Sequence, residues 1–207
     1  VATTDLAAWP HLYSEGSGPV LLMLHGTGSS ESQIAGLAEQ LDPSAAVLAP
    51  RGRVSENGAT RWFRRRAEGV FDVDDVIVRA AELARFVGWA ATEYGLLERP
   101  LTAVGFSNGA NIALALAIQH PTTLSRAIAF SGMYPLGDRD ITTDLTATSV
   151  LLLNGRDDQM APAASVDRLE TQLKAHGSRV ERVTRAGGHG ITEGELAAAQ
   201  GWLGRTL

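Results

Sequence analysis

Ser107 stands in Gly105-Phe106-Ser107-Asn108-Gly109, directly after the apolar run Leu101-Thr102-Ala103-Val104 and directly before an alanine-rich apolar run over 110–118. A serine on such a strand-to-helix turn is a nucleophile elbow. The turn is too tight for bulky neighbours, so Gly105 and Gly109 fall where missing Cβ atoms let strand and helix pack closely while Ser107 is pushed out at strained dihedrals. The chemistry this predicts is attack of the serine oxygen on a carbonyl carbon.

A serine hydroxyl is a weak nucleophile at neutral pH and needs a base that is itself oriented by a carboxylate. In chain order the expected succession is Ser, then Asp or Glu, then His. His189 fits as the base because it sits in the loop Gly187-Gly188-His189-Gly190, whereas His120 and His176 belong to helices. For the acid, the stretch Asn154-Gly155-Arg156-Asp157-Asp158-Gln159-Met160-Ala161-Pro162 follows an apolar run, and either aspartate could bond the imidazole. The oxyanion formed by attack needs two backbone N–H donors. One is expected from Asn108, the residue after the nucleophile, and the other from Thr27 in His25-Gly26-Thr27-Gly28. His25 itself is expected to brace that loop rather than move protons.

These residues need a frame. Apolar runs at 19–25, 45–49, 101–106, 126–130 and 149–153, with an alternating run at 179–184, read as strands. Helical periodicity covers 29–41, 71–94, the elbow helix to about 119, 162–175 and 192–203, with Asp72, Asp74 and Asp75 at the start of the second, where the macrodipole favours acids. Strands alternating with helices predict an α/β chain with a mainly parallel, doubly wound sheet. Ligands bind beyond the carboxyl ends of such strands, and His25, Ser107, Asp158 and His189 all fall just past strand ends. Residues 51–69 read as a long polar loop, with Trp62 and Phe63 folding it back onto the body.

At 207 residues with 44% hydrophobic and 20% charged residues, the chain predicts one domain over 1–207, with no linker or internal repeat. A net charge of -5 argues against a nucleic-acid partner, and no apolar stretch approaches a membrane span. The one basic cluster, Arg61 with Arg64-Arg65-Arg66, is interleaved with Trp62 and Phe63, and Arg64 and Arg66 read as solvated loop charges. Without cysteine there is neither disulfide nor thiolate chemistry, and no paired-histidine or H-E-x-x-H spacing supports a metal. No cofactor is implied, cytoplasm is the default compartment, and monomer and homodimer both stay open.

Taken together, His25 to Gly28, Gly105 to Gly109, Gly155 to Pro162 and Gly188-His189 resemble the phospholipase/carboxylesterase family of α/β-hydrolases, across nearly the whole chain. Pro50-Arg51-Gly52, Glu56-Asn57-Gly58, Arg61 to Arg65 and Glu68 to Asp72 are similar to a bacterial subgroup of hydrolases, some linked to quinone stress. The resemblance implies the α/β-hydrolase fold, the triad Ser107, Asp158 and His189, and Thr27 and Asn108 as oxyanion donors. It leaves Asp157 as a turn or capping residue. It also places the loop 61–71 over the site, with Trp62, Phe63 and Met160 as pocket walls and Arg65 holding the loop or meeting a polar substrate group. Residues 130–149 are too few for a cap domain, so an open cleft taking small or short-chain esters is expected. The competing readings are cleavage of carbon–carbon bonds or quinone-derived products on the same fold, and a binding module without catalysis.

Overall fold

In the computed structural model, which describes residues 5–205, a seven-stranded sheet carries the molecule. In chain order the elements are β1 (His11–Ser14), β2 (Val20–Leu24), α1 (Glu31–Leu41), β3 (Ala46–Pro50), β4 (Val54–Glu56), β5 (Ala59–Arg61), β6 (Arg65–Ala67) and β7 (Val70–Phe71). There follow α2 (Val73–Glu93), β8 (Leu101–Phe106), α3 (Asn108–Gln119), β9 (Arg126–Phe130), β10 (Ser149–Gly155), α4 (Ala163–Ala175), β11 (Arg179–Arg185) and α5 (Glu193–Leu203). The main sheet runs β1-β3-β2-β8-β9-β10-β11. All its pairings are parallel except β1 with β3.

The strand runs are continuously apolar because the sheet is covered on both faces. In β2, Val20, Leu22 and Leu24 join the core beneath α2 and α3, while Leu21 and Met23 join the core beneath α1 and α5. Helix α3 is buried from Asn108 to Ile118, which accounts for its alanines: it lies against the sheet and α2 packs over it, so long side chains have no room. Polar side chains fix the helix starts. Ser30 and Thr192 each form a reciprocal capping box, with Gln33 and Glu195, and Asp72 accepts from the Asp75 N–H.

From β2 the chain winds outward to β3, then crosses back through α2 to place β8 on the other side of β2. The carboxyl ends of β2 and β8 therefore flank the topological switch point, where a crevice opens. Residues 131–148, the position where a cap would be inserted, hold neither helix nor strand.

Two expectations about local structure change. The stretch 51–69 is not a plain loop: β4 pairs with β5 and β6 with β7 as two short antiparallel hairpins. The first turns at Asn57 and Gly58, whose φ values of 51° and 81° suit the residue types most tolerant of that region. The antiparallel edge strand β1 was also unmarked, because His11-Leu12-Tyr13-Ser14 is too short to show a period.

Candidate active site

Ser107 has φ 55° and ψ -118°, so it is held in a strained conformation at the tip between β8 and α3. The two glycines make that possible. A Cβ on Gly105 would overlap the Gly109 carbonyl, and one on Gly109 would overlap the carbonyls of Leu24 and His25. The Ser107 N–H donates to the Phe130 carbonyl at 2.9 Å, tying the elbow to β9.

Asp158 is 3% exposed, and its two oxygens have separate duties. Oδ1 accepts from the N–H groups of Met160 at 2.9 Å and Ala161 at 3.1 Å, while Oδ2 lies 2.8 Å from His189 Nδ1. Asp157 instead accepts the Gly187 N–H at 3.1 Å and holds the histidine loop from outside. With Nδ1 facing a carboxylate, the imidazole carries its proton there and offers Nε2 as a lone pair. That Nε2 is buried and without a hydrogen-bond partner among the described residues, Ser107 included.

Sequence reasoning missed what holds the histidine loop. Arg185, at the end of β11, pairs with the buried Glu195 at 2.7 Å and donates from Nη2 to the carbonyls of Gly188 and Gly190, on either side of His189. Ser131, with φ 52°, donates to the Gly190 carbonyl at 3.4 Å. A Cβ on Gly155 would overlap the Gly187 carbonyl, so that glycine lets the loop cross β10. An arginine two residues before a Gly-Gly-His-Gly loop was the available signal for this clamp.

The loop after β2 is fastened just as firmly. His25 is fully buried, donates from Nδ1 to the Gly26 carbonyl at 2.8 Å and accepts the Gly52 N–H on Nε2 at 2.9 Å. Both contacts suit the neutral ring, and burial pushes its pKa below the ordinary 6.5, against the raising effect of the Gly26 carbonyl. The Trp62 indole N–H donates to the His25 carbonyl at 2.9 Å, and the Gly28 N–H donates to Thr60 on β5. The backbone N–H groups of Thr27 and Asn108 donate to no group among the described residues, and both residues line the cleft that contains Ser107.

That cleft is small, about 30 Å³, and Arg61, Arg65, Glu68, Phe71, Asn111 and Met160 complete its wall. Met160 and Arg65 line this cleft, and Arg65 also holds the loop, through Glu56 at 3.0 Å and through Glu68. Trp62 and Phe63 do not line the cleft. They are 2% and 0% exposed and sit within the core with α2 and α3, because two large aromatic faces gain more by burial under the hairpins than at a wet wall. Trp62 acts from there: its backbone N–H donates to Asn108 Oδ1 at 2.7 Å, which orients the residue after Ser107. Gly69 and Phe71 also border a second cleft of about 610 Å³, lined among others by Met133, Tyr134, Leu136, Arg139 and Arg168.

A family model described as Phospholipase/Carboxylesterase matches residues 14–207. MhqD of Bacillus subtilis (strain 168), named as a hydrolase, is 36% identical over 193 residues, covering 93% of this chain and 96% of that protein. Esterase YpfH of Escherichia coli (strain K12) is 28% identical over 200 residues, covering 91% and 83%. The crystal structure of the Bacillus cereus carboxylesterase superposes with a TM-score of 0.89 at 38% identity, covering 95% of this chain and 93% of that one.

Proposed function

Because the chain belongs to the phospholipase/carboxylesterase family, we propose that it is a serine hydrolase that cleaves carboxylic esters through an acyl-enzyme on Ser107. In this reading Ser107 Oγ attacks the ester carbonyl, and His189 Nε2 takes the hydroxyl proton and delivers it to the departing alkoxide. Water then attacks the acyl-enzyme, giving its proton to His189, which returns it to Ser107. Asp158 holds the imidazole in the tautomer with Nδ1 protonated and stabilises the imidazolium. The N–H groups of Thr27 and Asn108 receive the oxyanion, the second with the field of the α3 N-terminus behind it.

The observation that carries this reading is the pairing of Asp158 Oδ2 with His189 Nδ1 while Nε2 stays buried with no partner among the described residues. A buried imidazole nitrogen without a partner costs free energy, and a serine hydroxyl turned onto it removes that cost. Such bonds often tighten only with substrate in place. Labelling with a fluorophosphonate tests the reading: a single adduct on Ser107, absent from Ser107→Ala and suppressed in His189→Ala, is expected. An unlabelled Ser107 in folded protein counts against it.

The small cleft at Ser107 favours small or short acyl groups, because a longer chain must pass Phe71 to reach the larger cleft. A substrate-panel assay from acetate to palmitate esters tests this, with rates falling beyond the short chains. A steady rise with chain length contradicts it.

A further inference from the structure

Among the side chains around Ser107, Arg61 is unusual. It is 4% exposed, yet it lines the catalytic cleft, and its only hydrogen bond among the described residues runs from Nε to the Phe63 carbonyl at 3.4 Å. Glu56 lies 3.2 Å from the same Nε, so neither contact uses Nη1 or Nη2. The four Nη N–H donors of this guanidinium have no acceptor among the described residues and are left to whatever occupies the cleft.

The neighbouring amides point the same way. Asn111 Oδ1 accepts the Met133 N–H at 2.8 Å and Asn108 Oδ1 accepts the Trp62 N–H, while the NH2 group of each donates to no group among the described residues. The Asn108 Nδ2 is buried without a partner. Apart from Glu68 at its rim, the charged and amide side chains of this cleft therefore offer chiefly donors. Arg65 adds a second guanidinium, and Glu68, whose side chain is 67% exposed, pairs with it from the solvent side. Burial, and after it the nearby charge of Arg65, lower the Arg61 pKa, while the carboxylates of Glu56 and Glu68 raise it.

Resting on the esterase reading above, we infer that the substrate carries a free carboxylate within a few bonds of the scissile ester, received by Arg61 and the Asn111 amide, with Arg65 joining once Glu68 swings away. The neutral ester linkage gives the donors one carbonyl, which the oxyanion N–H groups already serve. A carboxylate supplies the acceptors that remain missing, in the planar form a guanidinium binds best. The cleft's small volume suits a group of that size. The carboxylate could sit on the acyl side, as in a half-ester of a dicarboxylic acid, or on the alcohol side, as in an acylated hydroxy acid.

The test compares near-isosteric pairs by kcat/KM: monoethyl succinate against ethyl levulinate for the acyl side, and O-acetyl-lactate against O-acetyl-lactamide for the alcohol side. One pair is expected to favour the acid by about tenfold or more. Arg61→Gln should bring that ratio to about one, and Glu68→Gln, an exposed change, should raise it. A ratio is insensitive to the fraction of folded enzyme. Calorimetric titration with succinate and lactate reads the same site without turnover: one anion should bind, at least tenfold more weakly to Arg61→Gln and more tightly to Glu68→Gln. Should Arg61→Gln not fold, the wild-type and Glu68→Gln ratios and titrations decide alone. The inference is overturned if neither wild-type ratio favours the acid, whatever the titrations read, or if the preference ignores both substitutions. Fluorophosphonate labelling of Ser107 separates the two levels: labelled enzyme without acid preference sinks this inference alone, and unlabelled enzyme sinks the esterase reading.

Discussion

Asp158→Asn isolates one proton position. In the wild type the carboxylate divides its work, Oδ1 taking two backbone N–H groups and Oδ2 taking His189 Nδ1 at 2.8 Å. Asparagine is nearly isosteric, and its carbonyl oxygen can keep the Met160 and Ala161 bonds, so the buried turn survives. Its NH2 group then faces Nδ1, which must become an acceptor, and the ring proton moves to Nε2. A protonated Nε2 cannot take the Ser107 proton. Loss of the correct tautomer in a triad costs about 10⁴ in kcat, or about 5.4 kcal/mol of transition-state stabilisation. KM should change little, and the thermal midpoint should move by less than about 4 °C. Asp157→Asn supplies the contrast, because that side chain only accepts the Gly187 N–H from the loop's outer side; its kcat should stay within about threefold of wild type. The assay is steady-state hydrolysis of p-nitrophenyl acetate beside thermal unfolding of each variant. Asp158→Asn within tenfold of wild type, or equal losses in the two variants, would refute the tautomer argument.

Other expectations follow from neighbouring contacts. Arg185→Lys keeps a charge for Glu195 but cannot reach the Gly188 and Gly190 carbonyls with the same fork, so kcat should fall by about tenfold with KM nearly constant; steady-state kinetics with unfolding curves would separate this from general destabilisation. Gly109→Ala drives a methyl into the Leu24 and His25 carbonyls and should cost more than about 3 kcal/mol, read from urea unfolding or from loss of soluble protein. The pKa of His25 is lowered in the fold, so the unfolded chain binds the proton first, and stability should decline as pH falls through the ordinary value near 6.5 and level off below the folded value. His120, lowered by burial, adds to the same decline, and His120→Gln should flatten part of it in thermal midpoints measured from pH 7.5 to 5.5.

Where a residue's neighbours in sequence are also its neighbours in space, the chain was legible. The elbow is the clearest case: strand, turn, serine and helix occupy one continuous stretch, and the glycine spacing carries its packing constraint. The helix starts were readable within two residues, because Ser30, Asp72 and Thr192 cap them locally. The choice between Asp157 and Asp158 was not readable from the turn itself, since both face polar groups and only the path of the loop from β11 decides which meets His189. The hairpins β4–β5 and β6–β7 escaped because strands of two or three mostly polar residues carry no period. Trp62 and Phe63 were drawn toward the pocket by their position in a loop above the site, yet the space beneath the hairpins admits them to the core. Arg61 had no role of its own in the basic cluster; its burial depends on the fold of both hairpins, which no local pattern announces.

The central claim is that Ser107 carries the acyl group between the two halves of the reaction. Rapid acid quench of the enzyme with a slowly deacylating aryl ester, followed by mass spectrometry of its peptides, reads this directly. The account predicts one acyl mass on the peptide holding Ser107, formed in a burst matching the released aryl alcohol and absent from Ser107→Ala. Turnover with that peptide unmodified and Ser107→Ala still active would contradict it.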